Sequence, residues 1–438
     1  MGVIRKTISY LKRNGIQDTM AAIMERVDTH AMDPMQRMAN AYTGRPDSVC
    51  DRSAAAEEIC FSLLVPTYET KEAFLVQLID SVLGQTYRNL QLVIADASAT
   101  DQVERVVRTY RDDRIVYQRL DKNGGISENT NQALALADGE YIGLLDHDDV
   151  LEKDALYHVT ELIMQKGCDM VYTDEDKMSA DGEVFFEPNC KPDFNLDYLL
   201  SNNYICHFTV IRSALIRELC FRPAYDGAQD YDLFLRTVAA IMRSETGDKN
   251  SVPMAARLRE RIGHVPRILY HWRAHENSTA DNPESKRYAY EAGKRAVEDF
   301  LAQAGWRAQV AHSSHLGFYE VTYLPDIFAV KDDVAAVGTY HAKRGRVGQG
   351  PVLDGQECFT GMRTMYSGYL HRADLIFEAE QLPKSCMVTR AMYERREQEQ
   401  RRQPGQATDR MLYVPPATFE TLQEMIAKKT PEEAAEWK

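Results

Sequence analysis

Three aspartates, Asp146, Asp148 and Asp149, fall within four positions in "YIGLLDHDDVL", directly after a run of apolar and small residues. Carboxylates at that spacing supply hard oxygen ligands for a divalent cation from one short loop. Mg2+ or Mn2+ held by few carboxylates completes its shell with water and substrate phosphate, so the pattern points to a phosphate-bearing ligand. The same letters also make an ordinary turn and helix cap, which Asp favours. Other acids stand at comparable places: Asp96 ends "LQLVIADAS", Asp174, Glu175 and Asp176 follow the strand "CDMVY", and Asp230 opens "QDYDLFLRTVAA". No G-x-x-x-x-G-K-[ST] loop is present, and no G-x-G-x-x-G follows the first strand. The first absence excludes a P-loop nucleotide site, and the second argues against a dinucleotide fold.

The elements that must carry these acids can be read from periodicity. "ICFSLLVPTYE", "LQLVIADAS", "RIVYQRL" and "EYIGLLD" are short apolar runs that read as strands. Between them "KEAFLVQLIDSVLGQTY", "TDQVERVVRTYR" and "GISENTNQALALADG" repeat apolar residues at helical spacing, the last with Ser127 or a neighbour as its cap and Gly139 as its stop. Alternation of this kind predicts an α/β protein with a largely parallel sheet and helices on both faces. Ligands of such sheets bind beyond the carboxyl ends of the strands. Residues 66–69, Asp96 and the acidic cluster all fall at that rim. Further on, "CDMVYTDEDK" reads as a strand running into an acidic loop, "YICHFTVIR" as a strand containing His207, and "HVPRILYHWRAHENST" as a strand entering a polar loop. His271 and His275, each taken alone, read as structural.

The chain has 438 residues, 44% hydrophobic and 27% charged, with a formal charge of -14. That acidic balance argues against a nucleic-acid partner, which requires a clustered basic surface. Eight cysteines without a C-x-x-C pair argue against structural zinc or a disulfide framework and fit reduced thiols in the cytoplasm. Residues 1–57 read as an N-terminal helical extension and linker. Within 1–27, Ile4, Ile8 and Leu11 share one face flanked by Arg5, Lys6, Lys12 and Arg13. Such a helix either lies on an anionic membrane surface or packs on protein. Residues 58–325 read as the main domain and 326–438 as a C-terminal extension, for which support of an acceptor groove and homodimerisation are both open.

The motifs together resemble a known family. "SLLVPTYETKEAFLVQLIDSVLGQTYRNLQLVIADAS", "NGGISENTNQALALADGEYIGLLDHDD", "YTDEDK", "KPDFNLDYLLSNNYICHF", "GAQDYDLFLR" and "YHWRAHENST" are similar, in order, to family-2 glycosyltransferases. The later motifs resemble the rhamnosyltransferase-type branch. The resemblance implies a GT-A fold, Rossmann-like with a mostly parallel central sheet. It also implies metal-dependent, inverting transfer of a hexose from a UDP- or dTDP-linked donor. The acceptor would be a glycan or lipid-linked hydroxyl in bacterial surface polysaccharide synthesis.

By position, the resemblance assigns Pro66, Thr67, Tyr68, Glu69, Asp96 and Asp146 to the nucleotide sugar. Asp146, Asp148, Asp149 and His275 fall to Mg2+ or Mn2+, and Asp230 to the catalytic base. Asp174, Glu175 and Asp176 form the acceptor side. The family usually has Glu-Asp where this chain has Gln229-Asp230, which keeps the base and removes a neighbouring charge. The C-terminal part faintly resembles half of a second GT-A unit without its acidic rim. The alternative reading is a non-catalytic scaffold or nucleotide-binding relative that keeps the fold.

Overall fold

A computed structural model describes residues 59–244, 254–275, 287–313 and 315–323, most of 334–388, parts of 410–424, and isolated positions before 25. The expected basic helix over 1–27 and the charged stretch 393–409 therefore lie largely or wholly outside the described residues.

The first half is built from β1 (Phe61–Thr67), α1 (Glu72–Leu83), β2 (Leu90–Asp96), α2 (Gln102–Val107), β3 (Ile115–Arg119), α3 (Ile126–Leu136) and β4 (Tyr141–Leu144). β1 is buried along its whole length, as a strand covered on both faces must be. Its residues divide between two cores. Leu64 joins Val93 and Ala95 of β2 and Ala133 of α3 on one side. Phe61, Leu63 and Val65 join Leu92, Ile94, Leu75 and Leu78 on the other. The sheet thus has helices on both faces, as the alternation predicts.

The second half adds β5 (Val150–Leu151), α4 (Ala155–Lys166), β6 (Met170–Met178), β7 (Phe185–Asn189), α5 (Leu196–Ser201), β8 (Thr209–Arg212), α6 (Ser213–Leu219), α7 (Gln229–Ser244), α8 (Met254–Arg261) and β9 (Ile262–Arg273). The sheet runs β3-β2-β1-β4-β8-β6-β9-β5, with β7 beside β6. The strand pairings set β1, β2, β3, β4, β6 and β9 in one direction and β8, β5 and β7 against them. It is a mixed, mostly parallel sheet, in which the antiparallel β8 separates a parallel half from β6 and β9.

Of Ser127 and its neighbours, Gly125 is the cap of α3: it opens the helix at φ +92°, and Asp226, 99 residues on, accepts the Ser127 N–H at 3.2 Å. Gly139 does not stop that helix, which ends at Leu136. A Cβ at Gly139 would stand 2.5 Å from the Ser62 nitrogen, so glycine is required by the close passage against β1.

α9 (Arg287–Gln303) packs on α7, and β10 (Ala308–His312) pairs with β11 (Tyr319–Tyr323). Beyond them a small four-stranded sheet forms from Phe377–Ala379, Arg410–Tyr413, Val334–Gly338 and Cys386–Val388. Phe377, Leu412 and Tyr413 share one continuous core with α5 and α7. Asn195 is the joint: its Oδ1 accepts the Tyr198 N–H at 3.1 Å, capping α5, and the Glu378 N–H at 3.0 Å, while its Nδ2 donates to the Glu378 carbonyl at 2.9 Å. Asn195→Ala removes the cap and leaves two buried main-chain groups unpaired. Urea denaturation is expected to show a loss of about 3 kcal/mol.

Candidate functional site

The rim beyond β1, β2 and β4 is organised before any ligand arrives. Pro66 and Thr67 end β1 in the interior, and the Thr67 hydroxyl donates to Asp96 Oδ1 at 3.1 Å. Asp96 is wholly buried. It also accepts from the Ser98 N–H at 3.0 Å, the Ser98 hydroxyl at 2.6 Å and the Tyr117 hydroxyl at 2.9 Å. Both its oxygens are engaged, so the contact expected between Asp96 and a base is not open in this arrangement, and Asp96 instead shapes the loop. Glu69, at φ +48°, ties the β1 loop to the β2 loop, accepting from the Ala99 N–H at 2.8 Å and the Thr100 hydroxyl at 2.9 Å. Those bonds hold its carboxyl below the usual glutamate range, the Thr100 hydroxyl first. Tyr68, 51% exposed, is the residue of this group that offers an open aromatic face.

The acidic cluster divides into separate environments. Asp149 is fully buried, accepting from the Tyr270 hydroxyl at 2.5 Å and the Arg273 N–H at 2.8 Å. Burial first, then the charges of Asp148 and Asp146, push its carboxyl well above the ordinary range. As both oxygens are committed to β9, its expected place among the metal ligands is corrected: Asp149 anchors the loop. Asp146 is half exposed; its N–H donates to the Tyr270 hydroxyl at 3.3 Å and its Oδ2 lies 3.7 Å from His207 Nε2. Asp148 Oδ2 lies 2.7 Å from His275 Nε2. No cluster of three or more potential metal-ligating side chains is gathered among the described residues, so the expected four-residue set does not form.

Arg273 locks the cluster in place. Its side chain is buried, with Nε donating to the Asp148 carbonyl at 2.5 Å, Nη1 to the Ala180 carbonyl at 3.0 Å and Nη2 to Gln77 Oε1 at 2.6 Å. The guanidinium also stacks over Phe74, 4.6 Å from the ring centre. A delocalised, planar cation tolerates this better than lysine would.

Asp230 stands at the start of α7, partly buried, accepting from Asn203 Nδ2 at 3.0 Å. Burial raises its carboxyl above the ordinary range, Asp146 adds to the rise, and His207 and Asn203 oppose it. Asp146 and Asp230 thus share one electrostatic neighbourhood although they are distant in sequence. Asp232, two residues on, is buried instead and held by Arg222 and by Arg236 Nε at 2.9 Å.

The acidic stretch 174–176 is not a loop, because β6 continues through it. Asp174 Oδ1 accepts from the Lys191 N–H and meets His264 Nε2, both at 2.9 Å, and Asp176 Oδ1 meets His271 Nδ1 at 2.6 Å. Both are buried and paired, which removes them from the acceptor side. Glu175 points to the opposite face, where its Oε2 accepts the His207 N–H at 3.2 Å. His207 precedes β8 rather than lying within it, and with the buried Lys191 it belongs to the site that the sequence did not reveal.

A parallel half that delivers an acidic loop and a mixed half that supplies the facing wall define the class: a GT-A α/β fold. Residues 62–219 match the family model described as glycosyl transferase family 2. It is 40% identical over 247 residues to the y4gI protein of Sinorhizobium fredii, covering 55% of this chain and 25% of that one. It is 31% identical over 267 residues to the O-antigen biosynthesis protein RfbC of Myxococcus xanthus, covering 60% and 19%. With the putative colanic acid biosynthesis glycosyl transferase WcaA of Escherichia coli it shares 30% over 188 residues, covering 40% and 65%. The chain spans a quarter or less of the length of the first two relatives. The solved structure of S. aureus TarS 1-349 with UDP-GlcNAc is 22% identical over 56% of this chain and 66% of that chain, with a TM-score of 0.41.

His271 yields a prediction separable from chemistry. Burial disfavours its charged form, but Asp176 and Glu152 outweigh that and raise its pKa. The stabilisation is therefore full below the unfolded-state value of about 6.5 and is lost as pH rises through the folded-state value. His271→Leu is expected to cost about 3–5 kcal/mol at pH 6. The difference from wild type should shrink towards alkaline pH in parallel chemical denaturations.

Proposed function

We propose that the chain is a metal-dependent, inverting hexosyltransferase that uses a UDP- or dTDP-linked sugar. Its acceptor is a hydroxyl of a growing glycan or lipid-linked saccharide in bacterial surface polysaccharide synthesis. The observation that carries this reading is the shared neighbourhood of Asp146 and Asp230 beside the Asp148–His275 contact. Kinship with RfbC and WcaA, named for O-antigen and colanic acid, supports the glycan acceptor.

In this reading Tyr68 lies against the base and Asp146 against the ribose. Asp148 and His275 would hold the cation, with the remaining ligands coming from outside the protein. Their donor set fits: a carboxylate suits Mg2+ or Mn2+, and an imidazole beside it favours the softer Mn2+. When bound, the cation neutralises charge on the departing diphosphate. Asp230 accepts the proton of the acceptor hydroxyl as that oxygen attacks the anomeric carbon. Its elevated pKa makes it a stronger base than an exposed aspartate. One displacement from the face opposite the leaving group inverts the centre.

Calorimetry with UDP, dTDP and GDP is expected to show binding that requires Mn2+. Asp230→Asn should keep that binding and lose transfer by about 100-fold or more. The acid limb of kcat/KM should lie above the ordinary aspartate range, since the base must be ionised. Metal-independent binding, or full transfer by Asp230→Asn, would refute the assignment.

The enzyme would work at the cytoplasmic face of the membrane, with residues 1–27 as its contact. Among the described residues no helix is long and apolar enough to cross a membrane. Ile16, Met20 and Ile23 are exposed on helical positions. Deleting residues 1–27 is expected to abolish co-sedimentation with vesicles containing phosphatidylglycerol, and unchanged sedimentation would rule the contact out.

A further inference from the structure

His207 is held by its ring, its N–H and its carbonyl. The imidazole lies flat on Tyr270, with ring centres 4.8 Å apart and planes 14° from parallel. Its Nε2 is 3.7 Å from Asp146 Oδ2. The main-chain N–H donates to Glu175 Oε2 at 3.2 Å, and the carbonyl accepts from the Lys191 ammonium. That ammonium is shut off from solvent, donates to the Ile205 carbonyl at 2.6 Å and lies 3.5 Å from Glu175 Oε2. A charge buried this deeply persists only with such compensation. Between the two carbonyls Cys206 takes φ +36°, a backbone state that a non-glycine residue keeps only where its surroundings impose it.

The restraint has a use. Asp146 and Asp230 are acids in one electrostatic neighbourhood, so their placement has to be held by other groups. The His207 ring stands between them in this neighbourhood: its Nε2 faces Asp146, and it is among the groups that act on Asp230. Stacking on Tyr270 fixes the ring plane, and Tyr270 also holds the loop through Asp149 and the Asp146 N–H. A site gains most when its reacting groups are pre-set by neighbours that cannot rotate.

We infer that His207 is the positioning residue of this site, holding the donor-side Asp146 and the base Asp230 in one arrangement, and that the buried Lys191–Glu175 pair holds His207. Its part in turnover rests on the proposed glycosyl transfer, whereas the arrangement itself does not. Histidine-labelled full-length protein without substrate tests the arrangement by NMR, with His207→Gln identifying the signal. Asp146→Asn and Asp230→Asn should each shift the His207 ring resonances, and Asp80→Asn on α1 should not. A signal unmoved by either site variant overturns the inference.

Turnover of nucleotide sugars tests the role. His207→Phe keeps the stacking and loses the polar edge, so kcat should fall about 100-fold with donor KM within about threefold. His207→Gln restores an N–H near the Nε2 position and should recover at least about tenfold of that loss. A Gln variant as poor as the Phe variant overturns the role. The neutral pair Lys191→Met with Glu175→Gln, folded by circular dichroism, should lower kcat at least about tenfold, and wild-type kcat overturns the clamp. Should wild type turn over no nucleotide sugar, the glycosyl-transfer reading fails while the NMR outcome still decides the arrangement.

Discussion

The sealing of Asp149 against the end of β9 is the interaction on which the site depends. A carboxylate without solvent is tolerable only when its lone pairs are answered, and here the Tyr270 hydroxyl and the Arg273 N–H answer them. Because both partners come from one strand end, the loop between β4 and β5 is fastened to β9 rather than left on the surface. Asp146 and Asp148 then have a fixed place from which to face the rim. Arg273 reinforces this through the Asp148 carbonyl and reaches on to Gln77 of α1, so the loop, β9 and the first helix form one rigid piece. Any ligand taken at this rim gains from such a piece, since a loop that must be ordered on binding would subtract that cost from affinity.

Much of this was legible in the letters. Continuous apolar runs ending in Asp or Pro located β1, β2 and β4, and their alternation with amphipathic helices gave the parallel half and its rim. The difference between Asp148 and Asp149 was not legible. Both look alike beside His147, and what separates them is an inward or outward turn set by a strand over 120 residues away. The acids at 174–176 misled for the same reason. A run of three acids reads as solvated because the cost of burying it is high. The histidines and the lysine that offset the cost, His264, His271 and Lys191, lie 17 to 95 residues further along than the acids they meet. His207 was placed in a strand because its neighbours are apolar, and it sits two residues before that strand begins. α3 likewise takes its capping carboxylate from Asp226, which no local pattern could announce.

Asp146 and Asp230, the two acids of the proposed transfer step, come from opposite halves of the sheet. The parallel half supplies one beyond β4, and α7, the second helix after the antiparallel β8, supplies the other. Antiparallel β8 lies between β4 and the strands β6 and β9, so the two acids come from either side of that reversal. The family match ends at residue 219, before Asp230. The proposed base thus lies beyond the matched residues, next to the Gln229 that stands where the family usually has a second acid.

Asn195 caps the helix that leads into the segment carrying Asn203 and His207, and the same amide grips the backbone of Glu378. The boundary near residue 325 is consequently one that packing and hydrogen bonds cross. Cutting the chain there would strip a buried wall of Phe377, Leu412 and Tyr413 from the core and release the near end of the segment that bears the site. The two regions should melt as one unit, and the smallest piece of this protein able to keep its pocket intact includes residues far beyond the family's own limits.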